Sequence, residues 1–172
     1  MKNNYLFILI LFFLIGCGSN SSLFTKNEIV ECPSILFSSD HKAYLSSGTK
    51  VFNLDNIAYT VELNNSIFKD ACKIKDNFLT STLSILFIAK PIDLDQEILF
   101  FPYFIATIDL NKQVQDIQYY SMDSRFSKNI ETNQIKETDF FKDVLIKIPS
   151  NKTSVSIIIG FMIDDEQLEI IN

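Results

Sequence analysis

Histidine occurs once in this chain of 172 residues, at His41. A single histidine excludes histidine-based metal sites and histidine pairs. A Ser-His-Asp triad would have to use His41, with Ser38 and Ser39 beside it. Sequence neighbours seldom take up that geometry, and no G-x-S-x-G elbow occurs. The expectation for His41 is an exposed loop histidine. Glycine occurs four times, and Gly18, Gly48 and Gly160 allow no phosphate-cradling loop. No Cys-x-x-Cys pair is present. No apolar run reaches the ~20 residues a membrane-spanning helix needs. Basic residues are also in deficit, 15 against 21 acidic, for a net charge of −6. That balance argues against nucleic acid and against an anionic membrane surface as partners.

What is present begins at the N-terminus. Lys2 is a short positive segment, and Leu6 to Ile15 is unbroken apolar sequence. This length suits a signal peptide that is removed. Leu14-Ile15-Gly16-Cys17 resembles a bacterial lipobox, with a small residue before the cut and a thiol after it. The resemblance implies cleavage of residues 1–16, lipid on the Cys17 sulfur and a membrane anchor through it. Two or three acyl chains hold far better than one. Gly18 stands where an Asp would signal inner-membrane retention, so the expected location is the periplasmic leaflet of the outer membrane. Loss of Lys2 leaves 14 basic residues against 21 acidic, a net charge of −7.

Residues 17–31 are expected to be the lipidated cysteine and a flexible tether. Residues 32–172 are expected to form one domain, enough for a sizeable core. Apart from Cys17 only Cys32 and Cys72 remain. In an oxidising compartment that pair suggests a disulfide.

The domain reads as all-β. Ile57, Tyr59, Val61 and Leu63 alternate with Ala58, Thr60, Glu62 and Asn64, a half-buried strand. Leu79 to Ile88 reads as a central strand ended at Pro91. Ile98 to Asp109 is the next, turning at Asp109–Lys112 into Val114 to Met122. Val144 to Ile148 and Val155 to Ile163 follow, the last holding Gly160, which leaves room for a neighbouring aromatic or a bulge. Asp164 before Asp165-Glu166-Gln167 is a helix-start signature. These spacings predict an antiparallel β-sandwich, immunoglobulin- or fibronectin-III-like, with a short C-terminal helical turn. A lipocalin-like barrel is the alternative.

Phe100-Phe101-Pro102-Tyr103-Phe104, with Tyr119-Tyr120, is the most unusual stretch. Proline cannot donate to a strand ladder, so an irregularity or an edge is expected at Phe101, Pro102 and Tyr103. An open edge there would invite a partner strand. Asp93/Asp95 and Asp164/Asp165/Glu166 are the paired carboxylates, read as solvation and capping rather than glycosidic chemistry.

Taken together, the lipobox Cys17, Cys32-Pro33, the lone Cys72, Pro102-Tyr103-Phe104-Ile105-Ala106 and Ile159-Gly160-Phe161 before Glu166-Gln167-Leu168 make the chain similar to a family of uncharacterised Gram-negative lipoproteins. The resemblance spans nearly the whole mature chain and implies fold and location. It carries no known activity. The expected function is a non-enzymatic interaction or scaffold module of the cell envelope, with an envelope protein as partner and no cofactor or metal. A lipid or small-molecule binder is the alternative.

Overall fold

A computed structural model describes residues 28–47, 54–152 and 155–171. The lipobox and Cys17 lie outside the described residues.

Two sheets pack face to face. The larger runs in the order β1 (Glu28–Ile29), β5 (Lys73–Lys75), β6 (Phe78–Pro91), β4 (Ile57–Phe68), β3 (Ala43–Ser47). A further strand, β9 (Thr138–Pro149), follows β6 from Phe78↔Pro149 to Ala89↔Thr138. The smaller sheet runs β2 (Ser34–Phe37), β10 (Ser156–Phe161), β7 (Ile98–Ile108), β8 (Val114–Arg125). Pairing is antiparallel throughout except between β2 and β10. The sheets stay open, so the β-sandwich expected from sequence is the fold and its lipocalin-like alternative falls.

Period-two alternation decides what is buried. Leu79, Ser81, Leu83, Ile85, Phe87 and Ala89 of β6 all face inward. They meet Leu99, Phe101, Tyr103 and Ile105 of β7 and Ile157, Ile159 and Phe161 of β10. Phe87 lies at the centre, with ring centroids 5.0 Å from Phe101, 5.2 Å from Tyr103 and 5.9 Å from Phe161. These distances suit offset and edge contacts between aromatic quadrupoles.

The disulfide forms between Cys32 and Cys72, 40 residues apart. It sits beside an unexpected element. Glu28 and Ile29, assigned by sequence to the tether, pair with Ile74 and Lys73 of β5, and Val30 N donates to Cys72 O. The folded part therefore includes residues 28–31. Asp76 and Asn77, both at positive φ, close the hairpin between β5 and β6. That is the geometry a two-residue type I′ turn requires, and Asp and Asn tolerate it.

The chain closes with α1 (Asp165–Ile171). Asp164 Oδ1 accepts from Gln167 N at 2.8 Å, and Gln167 Oε1 accepts from Asp164 N at 3.2 Å. This is a reciprocal capping box. Gln167 Nε2 also donates to Leu45 O, which ties α1 to β3.

Candidate functional site

Phe101, Pro102 and Tyr103 do not form an edge. β7 is flanked by β10 on one side and β8 on the other, and the register with β8 runs unbroken through Pro102↔Ser121. The irregularity falls instead between Thr107 and Ile108. Phe101 and Tyr103 are fully buried. Pro102 is tolerated because its nitrogen faces the side where β10 ends. Pairing with β10 stops at Phe161↔Tyr103, and one residue further on Met162 N donates to Pro102 O at 3.0 Å. Only a single donor is missing, at the end of a ladder.

Tyr103 is the one buried side chain among the described residues whose polar atom has no partner. Its ring stacks on Tyr120 at 5.3 Å. Burial first, and then the neighbouring Tyr120, push its phenol well above the ordinary value.

The residues that alternate with these face outward, and they are apolar as well. Leu36, Ile158, Ala106 and Ile117 lie opposite one another in register across all four strands of the smaller sheet; Leu36 and Ile117 are exposed, Ile158 is half-buried and Ala106 is buried between its neighbours. Phe104 and Tyr119 make the next pair, and Phe100 follows on β7. Phe100 is 50% exposed and Tyr119 62%. A sheet covered on one side normally shows polar residues on the other. β7 and β10 instead have the sequence of strands covered on both sides, yet among the described residues the second layer lies on one side only. Within this face Phe104 lies across Gly160. A Cβ at that position would stand 2.6 Å from Phe104 Cζ and 2.9 Å from His41 Cβ.

His41 corrects the exposed-loop expectation. It is half-buried, its Nδ1 lies 3.0 Å from Phe161 O, and its ring meets Phe104 edge-on at 5.8 Å. Its backbone carbonyl accepts from Phe161 N at 2.7 Å. The residue fastens the β2–β3 connection onto β10 at the rim of the apolar face.

The carboxylate groups have local partners. Asp93 Oδ1 accepts from Asp95 N, and Asp164 caps α1. Asp143 is held below the usual carboxylate range by its hydrogen bond with Lys69, and Glu97 by that with Lys128. No three His, Cys, Asp or Glu side chains converge as metal ligands among the described residues.

A cleft of about 330 Å³ opens between the sheets at one end of the sandwich. Phe78 and Ile148 form its apolar wall, and Asp116 and Lys147 stand on opposite sheets at its mouth. No described helix is long and apolar enough to cross a membrane.

Comparison with known proteins finds no match to any family model, any curated protein or any solved structure.

Proposed function

We propose that this chain is a lipid-anchored, non-enzymatic interaction module of the bacterial envelope. Its signal peptide is cut before Cys17, and the anchor holds the domain at the periplasmic leaflet of the outer membrane. The observation that carries the interaction reading is the apolar row Leu36–Ile158–Ala106–Ile117, with Leu36 and Ile117 exposed, on the side of the four-stranded sheet that no described element covers. The partner surface is then Phe100, Phe104 and Tyr119 with that row, rather than the buried Phe101 and Tyr103. Its occupant is another envelope protein, since large exposed apolar patches mark such contacts.

The test is in-cell photocrosslinking from a photoreactive residue at Tyr119, compared with one at Leu145 on the other sheet. A discrete crosslinked envelope protein at Tyr119 alone supports the reading. Equal or absent crosslinking at both positions overturns it.

A further inference from the structure

The two ends of the sandwich differ in charge, and the chain enters at a particular one of them. β1 pairs with β5, and β5 pairs with the first residues of β6 through Lys73↔Thr80. The first residue of β6 faces the last of β9. Through the cleft, Phe78 and Lys147 share this end with Thr107 and Asp116, next to the β7–β8 hairpin. The segment between Cys17 and Glu28 therefore joins the domain here. It reaches about 37 Å fully extended and about 18 Å as a flexible coil.

From the level of Thr80 to this end, Lys73, Lys75, Lys112 and Lys147 are matched by Glu28, Asp76, Asp109 and Asp116. Among the described side chains the net charge of this end is zero. Asp109 is further absorbed by its own hairpin, accepting from Asn111 N, Gln113 N and Gln115 Nε2. The opposite end holds residues 92–97, 125–137 and 164–171, which between them carry nine acidic residues against three basic ones, Arg125, Lys128 and Lys136. The overall negative charge, which argues against an anionic surface, is thus displaced away from the point of entry.

Large apolar side chains are exposed at both ends, but at the entry end they stand among balanced charges. Leu110, at the tip of the β7–β8 hairpin, is 84% exposed, and Ile29 is 70% exposed. Val114 and Phe78 are also exposed there. Lysines beside apolar side chains suit a phospholipid interface, with the aliphatic stem along the acyl boundary and the ammonium among headgroups.

Building on the lipid-anchor reading, we infer that this end docks on the phospholipid surface. The Leu110 hairpin enters the headgroup region and the acidic end points away. A short tether keeps the hairpin near the leaflet, and repulsion of the acidic end by anionic headgroups selects the orientation.

The test uses the lipidated mature chain in vesicles of phosphatidylethanolamine and phosphatidylglycerol doped with brominated phosphatidylcholine. The protein has no tryptophan, so a single introduced one reports alone. Leu110→Trp and, separately, Val114→Trp read the docking end. Ile130→Trp, in a fully exposed loop position near the acidic end, reads the other. Emission from the first two variants is expected to shift blue and lose most of its intensity to bromine, while the third stays unchanged. Vesicle flotation with normal acyl mass, but no quenching or equal quenching at both ends, overturns the docking and leaves the anchor standing. A chain with no acyl mass that does not float overturns the anchor and the docking together.

Discussion

The Tyr59 hydroxyl satisfies both backbone groups of Phe100 at once. It donates to Phe100 O at 2.6 Å and accepts from Phe100 N at 2.9 Å. Tyr59 belongs to β4 and Phe100 to β7, so this bond joins the two sheets. It lies where β10 has ended and β7 has lost its neighbour on that side. One phenol does there what one further residue of a longer β10, placed opposite Phe100, would do.

Tyr59→Phe should therefore remove more than a surface hydrogen bond. It leaves a part-buried N–H and C=O without partners, at a cost of about 1–3 kcal/mol. The midpoint of urea unfolding should fall at unchanged slope, since the buried area stays the same.

Tyr103→Phe should behave in the opposite way. Its hydroxyl has no partner, so its loss should leave stability at pH 7 unchanged or slightly raised. The two tyrosine variants measured side by side separate a bonded phenol from an unbonded one.

The same Tyr103 sets a limit at high pH. Burial raises its phenol in the folded chain, so near pH 10 an unfolded chain releases a proton that the folded one keeps. Stability is then fully present below about pH 10 and declines as pH rises above it. Tyr103→Phe should flatten that decline. Chemical unfolding at pH 8 and at pH 10.5 reads the difference between wild type and variant.

Gly160→Ala should destabilise by about 1–3 kcal/mol through overpacking against Phe104 and His41. Phe104→Ala in the same chain should restore part of that loss in a thermal melt, because it removes the nearer obstacle. His41 Cβ stays in place, so recovery should be incomplete.

Breaking the Cys32–Cys72 bridge, by Cys32→Ser with Cys72→Ser, should cost about 4 kcal/mol on the chain-entropy estimate for this loop. Unfolding in denaturant, with and without reductant for the wild type, measures it.

The strands with one wet face were legible from sequence, because alternation names the inward residues directly. Val61 and Leu63 were placed correctly for that reason, and so was Asp164 as a cap. The room left at Gly160 was legible too, though not that Phe104 would fill it. β7 was harder. Ile98 to Ala106 is apolar at every position, so periodicity cannot say which set faces the core. Pro102 then suggested an edge, and only the register shows that its missing donor falls at the end of β10. β1, β3 and β5 are too short for a periodic signal. Asp76-Asn77 between Ile74 and Leu79 was the available cue for the β5–β6 hairpin. The charge difference between the ends lies beyond sequence reading, since residues 28–31, 73–76 and 109–116 meet only through folding.

The disulfide also fixes how the domain takes tension. A pull arriving along the residues before Glu28 first meets β1, held by two residue pairs with β5. If that short clamp yields, the force reaches Cys32 and passes covalently to Cys72, and so into the segment leading to β5 and the broad β6 sheet. β2, a four-residue strand on the edge of the other sheet, is spared from being stripped off β10. The bridge works as a strain relief, like the clamp on a cable where it enters its housing.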